Sequence, residues 1–348
     1  MAVTVNDVAD RALVSISTVS RAFTMPHLVR GTTRERVLQA ARDMGYQPNR
    51  AARGLITGKT GNIAVVVPDI ANPFFSAVLK GVHARAREAD HVVFLADTEE
   101  DPRLEEELVR AMVKQVDGII LCSSRMSEEQ LDRLELGKPT VFLNRRVRGA
   151  PAVVMDSSEG TREAVAHLAA LGHRRIAYLS GPRESWSSRV RLAGLRPATD
   201  AVGLELVELG PFLPYFEGGL QAADLVLASQ ATAAIAFNDL IAFGVLNRLA
   251  VRGFHVPADL SLIGFDNIAM AAMVTPALTT VALPMAAAGR AAVDLLLDRL
   301  VYPHDEVGDR AERLLGTHLC VRSSTAPPRG GTDPSGQPSA RITPRERN

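Results

Sequence analysis

The stretch VSISTVSRAF, residues 14–23, gathers Ser15, Ser17, Thr18, Ser20 and Arg21 in close succession. Short hydroxyls of this kind hydrogen-bond phosphate oxygens and base edges, and an arginine binds phosphate or guanine. Ile16, in the same stretch, offers an aliphatic surface that packs on a thymine methyl. A second set of polar residues follows apolar runs further along the chain. Asp69 and Asn72 follow IAVVVP, Asp97 follows VVFLA, Asn144 and Arg145 follow TVFL, Asn238 and Asp239 follow AIAF, and Asp266 ends LIGFD. Together with Phe74, Phe75, Trp186 and Arg191 they suit a hydroxyl-rich small molecule. Carboxylates and amides bind vicinal hydroxyls, a buried arginine donates to hydroxyl or carboxylate, and flat rings stack on sugar faces.

These side chains need elements to position them. Thr4 can cap a helix whose third residue is the acid Asp7, with Val5, Val8, Ala9 and Ala12 at helical spacing. Ser15 can cap a second helix that turns Val19 and Ala22 inward and leaves Ile16, Ser17, Ser20 and Arg21 outside. Two short helices joined by a tight turn make a helix-turn-helix, and the polar outer face of the second suits a major groove. A third helix is predicted from TTRE, read as a capping box of Thr32 and Glu35, through Val37, Leu38 and Ala41 to a stop at Gly45. Next, Pro48 blocks continuation and Asn49 can cap a short segment through Leu55, loosened by Gly54, Gly58 and Gly61. An exposed Leu55 among Arg50, Arg53 and Lys59 fits a minor-groove wedge. Composition alone favours a plain flexible linker.

Residues 62–266 alternate strand-like apolar runs with helical stretches, and the pattern restarts after AVVMDSSEG. Repeated βα winding predicts parallel sheets with helices on both faces. The fold class expected is a small all-α helix-turn-helix head plus an α/β body of two doubly wound parallel-sheet lobes. Ligands in such sheets bind beyond the carboxyl ends of the strands, where the second polar set lies.

A chain of 348 residues, 47% hydrophobic with mean hydropathy +0.06, has material for two or three folding units. Its zero net charge hides an asymmetry. Residues 1–60 hold nine Arg/Lys against four Asp/Glu, a formal +5 balanced by −5 over the rest. A basic head on an acidic body fits a polyanion partner, and equally a solvated basic face. Cys122 and Cys320 are far apart with no CxxC spacing, as in a reduced, cytoplasmic protein. No basic-then-apolar leader and no run of 18 apolar residues is present, so neither a signal peptide nor a membrane span is expected.

The run VTVNDVADRALVSISTVSRAF…TTRERVLQAARDMGYQPNRAARGL resembles the DNA-binding head and hinge of the LacI/GalR family of bacterial transcriptional regulators. The resemblance continues from NIAVVVPDIANPFFSAVLKGV to VRSSTAPP, roughly residues 2–328. It implies that Ile16, Ser17 and Arg21 read bases, within a DNA-contact set completed by Thr4, Ser15, Thr18, Ser20, Asn49, Arg50, Ala52 and Leu55. It also implies a hinge helix that folds only on the operator, with Leu55 opening the central step. Arg191 of RVRLAG, Asn238 of FND and Asp266 of GFDN match recurrent effector contacts of the family, and Phe74 matches a wall of the first lobe. Asp69, Asn72, Phe75, Arg145 and Trp186 complete the candidate effector set. Phe75 reads as readily as core, and Asp239 as the cap of the following helix. One departure is Arg30, where the family usually has serine, followed by Gly31.

The family pattern further implies a head over 1–46, a hinge over 47–60 and a periplasmic-binding-protein-like body of type I over 61–326. The first lobe takes about 61–157 plus 284–315, the second about 158–283 plus 316–326. A disordered tail is expected over 327–348. Helices at 74–88 and 286–300 match the usual dimer face, and the tail lacks a leucine heptad, so a homodimer is expected. The function implied is a repressor that binds a near-palindromic operator and responds to a small effector. A sugar or sugar derivative leads, while Arg191 and Arg145 permit an acid or phosphate and the aromatic walls a purine. The rivals are an enzyme or a solute-binding receptor on the same body. GxGxxG, P-loop, GxSxG and HExxH patterns are absent, so no cofactor or metal is expected, and either rival leaves the basic head unexplained.

Overall fold

A computed structural model describes residues 3–46, 59–134, 137–302 and 311–329. They form two compact units, divided between Asn62 and Ile63, with Lys114–Asp117 belonging to the first. Asn49, Arg50, Ala52 and Leu55, and the helix expected around them, lie outside the described residues, as does the tail from residue 330.

The head has three helices: α1 (Val5–Ala12), α2 (Ile16–Thr24) and α3 (Gly31–Asp43). The Thr4–Asp7 capping box forms. The Thr4 hydroxyl accepts the Asp7 amide at 3.4 Å and the Asp7 carboxylate accepts the Thr4 amide at 2.8 Å, which holds the Asp7 carboxyl below its ordinary pKa. Ser15 caps α2 by accepting the Thr18 amide at 3.2 Å. Val8, Ala9, Ala12, Val19, Ala22, Val37, Ala40 and Ala41 are buried between the helices, and the many alanines let them approach closely.

The expected start of α3 is corrected. The helix begins at Gly31 with Arg30 in the N-cap position, and no side chain caps it. The Arg30 carbonyl already accepts the Arg34 amide at 2.9 Å, so Thr32 sits inside the first turn, where it cannot act as a cap. The end of α3 is as read: Gly45 is left-handed, φ +66°, and the Gly45 and Tyr46 amides close the helix on Arg42 and Ala41.

Leu13, in the turn between α1 and α2, occupies the same left-handed region at φ 50°, ψ 52°, while 85% exposed. A leucine there is strained by roughly 1–2 kcal/mol, and no packing offsets it. Leu13→Gly is expected to stabilise the head by about 0.5 kcal/mol after the unfolded-state entropy of glycine is counted. The check is slower amide exchange at Val8 and Val19; unchanged or faster exchange would show that the turn stores no strain.

In the body, one sheet runs β11 (Glu312–Gly316), β5 (Ala152–Asp156), β4 (Thr140–Leu143), β3 (Gly118–Cys122), β1 (Asn62–Val67) and β2 (Val92–Asp97). The other runs β12 (His318–Cys320), β10 (Thr279–Ala282), β9 (Ser261–Asp266), β8 (Ala233–Ala236), β6 (Arg175–Leu179) and β7 (Glu205–Leu209). The registered pairs are parallel except β10 with β12. Strands β3, β8 and β9 are buried along their whole length, as continuous apolar runs covered on both faces require.

Helices α4 (Pro73–Glu88), α5 (Pro102–Met112) and α6 (Glu128–Arg133) belong to the first winding. Helices α7 (Ser158–Ala170), α8 (Trp186–Val202), α9 (Phe216–Ala228) and α10 (Asp239–Val251) belong to the second. Helix α11 (Met285–Val301) follows β10 and packs back on α4. A Cβ on Gly81 would lie 2.0 Å from the Ala286 carbonyl, and one on Gly289 2.2 Å from that of Val78, so the two backbones touch only because both residues are glycine.

Candidate ligand cleft and DNA-binding face

The carboxyl ends of the strands bring two walls together around a cavity of about 30 Å³. Ligand pockets usually measure roughly 300–1,000 Å³, so the cavity as it stands is smaller than a small molecule needs. On the first wall, Asn72 caps α4, its Oδ1 accepting the Phe74 amide at 3.0 Å, and Phe74 and Phe75 meet edge-to-face at 5.0 Å. Asn144, left-handed at φ 58°, donates to Ser123 at 3.0 Å and across the cleft to Ser187 at 3.1 Å. Arg125 donates to both Glu100 oxygens at 2.5 and 3.0 Å and to the Ser123 carbonyl at 2.8 Å. Beneath them Glu105, buried and therefore raised in pKa, accepts the Arg125 amide at 2.8 Å.

The second wall centres on Arg191 of α8. Its guanidinium lies between the rings of Phe265 and Phe237, at 3.9 and 4.9 Å from their centroids. It donates to the Phe237 carbonyl and reaches Asp266 at 3.5 Å, while its Nε has no hydrogen-bond partner among the described residues. Asp266 closes the wall in a backbone conformation, φ +107°, that non-glycine residues rarely adopt. Arg322 holds the turn that follows, donating to Asn267 and to the Leu278 carbonyl, each at 2.7 Å. Asn238 both caps α10, accepting the Ile241 amide at 2.9 Å, and donates to the Pro214 carbonyl at 2.8 Å. The cap is therefore Asn238, not Asp239. Asp239 instead is buried against β9 and β10, accepting Thr280 at 2.6 Å and the Ile268 amide at 2.9 Å. Gly264 makes room for it, since a Cβ there would lie 2.1 Å from Asp239 Oδ1.

Burial pushes Asp239 up to about 8, with Asp266 adding to the shift, and burial pushes Asp266 up to about 7 against the pull of Arg191. Both folded values exceed the unfolded one. The stability they contribute is therefore full at acid pH and lost as pH rises through the folded values. The thermal midpoint of the body is expected to fall from pH 6.5 to about pH 8 and then level, and Asp239→Asn to flatten that slope. An equal slope in the variant would show that Asp239 does not titrate there.

Of the candidates, Asn72, Phe74, Phe75, Arg191, Asn238 and Asp266 line the cavity. Asp69 does not; it accepts the Ala71 amide at 2.8 Å, and burial together with Asp97 and Glu100 raises its pKa. Arg145 is buried and turned to the Ser124 and Met126 carbonyls, fixing the loop after β3. Trp186 opens α8 between two lining residues, Ser185 and Ser187, without lining the cavity itself. Glu100, Ser123, Arg125 and Phe237 were not read from the sequence. Ser123–Arg125 directly follow an apolar strand, the signal that singled out Asn144 and Asp266.

On the head, Ile16, Ser17 and Arg21 are exposed on one side of α2 and Ser20 is half-buried. Thr4 and Ser15 are engaged as caps, and the Ser15 hydroxyl also meets Ser17 at 2.8 Å and Thr18 at 2.9 Å.

A helix-turn-helix head and a two-lobed body with a polar, aromatic-walled cleft define a DNA-binding regulator with a small-molecule site. Residues 4–49 match the lacI family of bacterial regulatory proteins and residues 165–325 the periplasmic binding protein-like domain. The HTH-type transcriptional repressor CytR of Escherichia coli K12 is 35% identical over 334 residues, spanning 93% of this chain and 96% of that protein. The Lac repressor dimer bound to operator and the anti-inducer ONPF superposes with a TM-score of 0.82 at 28% identity, covering 94% of this chain and 100% of that one. A lacI-family regulator from Enterococcus faecium with bound ribose gives 0.67 at 34% identity, covering 76% and 99%. The chain belongs to the lacI family of bacterial transcriptional regulators. Among the described residues no helix is long and apolar enough to cross a membrane.

Proposed function

We propose that this chain is a cytoplasmic, dimeric transcriptional repressor whose hold on a near-palindromic operator is switched by a hydroxyl-rich effector, a sugar or sugar derivative, bound between the lobes. The observation that carries this reading is the Arg191–Asp266 pair beside Asn238 in the cleft wall. A buried guanidinium with an unused Nε, a buried carboxylate and an amide are the donors and acceptors that vicinal hydroxyls need. Ribose in the similar Enterococcus regulator supports the sugar class. Ile16, Ser17, Ser20 and Arg21 contact the major groove, with Thr4, Ser15 and Thr18 supporting the helix they stand on. Residues 1–46 are the head, 47–60 the hinge and 61–326 the body. The hinge carries the signal and includes the proposed contacts Asn49, Arg50, Ala52 and Leu55.

The dimer reading is supported by the apolar edge of the first sheet. Ile70, Val92 and Leu95 are exposed there, beside Lys80 and Arg87 of α4. The pairing of Arg125 with Glu100 and of Arg191 with Asp266 suits a binding site better than a catalytic one. The test is a thermal-shift screen of sugars and their derivatives, followed by titration of a labelled fragment from the chain's own promoter region. A ligand that raises the melting temperature and changes operator affinity fits the proposal. Tight operator binding that no stabilising ligand alters contradicts it.

A further inference from the structure

We propose that the cleft selects an uncharged ligand, and that Glu100 sets this preference by occupying the guanidinium of Arg125. The proposal rests on the reading of the cleft as the effector site. Two arginines face the cavity, and at first sight both suit a phosphate ester or an acid. A phosphate site presents guanidinium forks with their donors free. Arg125 does not: Nε and Nη2 are held by Glu100 and Nη1 by the Ser123 carbonyl, with the Arg125 side chain 4% and that of Glu100 13% exposed. Arg145, the other cation of this wall, does not line the cavity and turns its Nη1 to the Ser124 and Met126 carbonyls. On the opposite wall Arg191 already faces Asp266.

The mouth beside Glu100 is acidic. Asp69 and Asp97 stand close enough to Glu100 that the carboxylates oppose one another's ionisation at Asp69, and Tyr215 of the second lobe faces the same group. A phosphate dianion has to pull Glu100 off Arg125, leaving a nearly buried carboxylate unpaired, or else sit against the Glu100 carboxylate with Asp69 and Asp97 near it. A neutral hydroxyl-rich ligand does neither. It accepts from Arg191 Nε, donates to Asp266 and lays its apolar face on Phe74 or Phe237.

The test uses the full-length protein and isothermal titration with inorganic phosphate and three matched pairs: D-ribose and its 5-phosphate, D-glucose and its 6-phosphate, adenosine and its 5′-monophosphate. In the wild type, phosphate is expected not to bind below about 10 mM, and no phosphorylated member to bind more tightly than its parent. Glu100→Gln is expected to gain phosphate affinity by at least about tenfold, and Glu100→Gln with Arg125→Gln to lose that gain. A phosphorylated member that binds the wild type about tenfold more tightly than its parent overturns the proposal. So does a Glu100→Gln protein that folds and gains nothing. Should Glu100→Gln not fold, the wild type decides: saturable phosphate binding that Arg125→Gln removes overturns it. Binding that shows the neutral preference yet survives Arg191→Ala unchanged places the ligand elsewhere, and sinks the reading of the cleft instead.

Discussion

Replacing Arg191 by alanine is expected to abolish the effector response, lowering ligand affinity at least about 100-fold, while operator binding without ligand stays within about threefold of the wild type. Two losses combine. The ligand loses an Nε donor that has no partner among the described residues, and Asp266 loses its guanidinium partner inside a buried wall. Breaking a buried ion pair costs roughly 3–5 kcal/mol, less whatever proton uptake by Asp266 recovers. The carboxyl, already pushed up to about 7, rises further and becomes a donor where the ligand needs an acceptor. The body should therefore melt lower but still fold. Arg191→Lys keeps a charge but not the fork that spans Phe237 and Asp266, and is expected to recover stability more than affinity. Calorimetric titration with the ligand found by thermal shift reads the first effect and an operator anisotropy titration the second. An unchanged ligand titration removes Arg191 from the site.

The second large effect is expected on the head. Arg21→Ala should weaken specific operator binding about 10- to 100-fold and non-specific DNA binding only slightly. Arg21 is exposed near the end of α2, on the same side as Ser17 and Ile16. Whether the arginine meets a base or a phosphate shows in the salt dependence. Loss of a phosphate contact lowers the slope of log affinity against log salt by about 1, whereas loss of a base contact relaxes specificity at one operator position and leaves the slope unchanged. Equal weakening of specific and random DNA, with no change in slope, would take Arg21 out of the interface.

Much of the head is legible because its signals are local. Thr4 with Asp7, Ser15 and Gly45 each act within a few residues, and each does in the fold what its type suggests. The start of α3 is misread for the same reason. Two good capping residues at Thr32 and Glu35 outweigh, on paper, a backbone turn at Arg30 that no side chain announces. Leu13 is likewise silent in the sequence, since leucine gives no hint of a left-handed turn.

The cleft is legible at Asn238 and Asp266, because a polar residue at or just beyond the end of a buried strand emerges at the ligand end of a parallel sheet, whereas after β1 it is Asn72 and not the nearer Asp69 that lines the cavity. That rule fixes position but not partner. Arg145 obeys it and is turned to two carbonyls of the neighbouring loop. The pairing of Glu100 with Arg125 is likewise beyond it, because the contact joins the turn after β2 to the loop after β3, across 25 positions, and no periodicity links the two. The choice between Asn238 and Asp239 as the cap of α10 turns on the same limit. Asp239 is drawn under β9 by Thr280 and by the space that Gly264 leaves, contacts made only when the sheet is assembled.

The central claim is that a ligand held by Arg191 and Asp266 controls DNA binding by the head. Its most direct test is one titration: a fluorescent operator fragment against the full-length protein, with and without a saturating sugar that raises the melting temperature, for the wild type and Arg191→Ala side by side. The ligand is expected to shift wild-type operator affinity at least about tenfold and to leave the variant unmoved. An equal shift in both proteins, or none in the wild type, would contradict it.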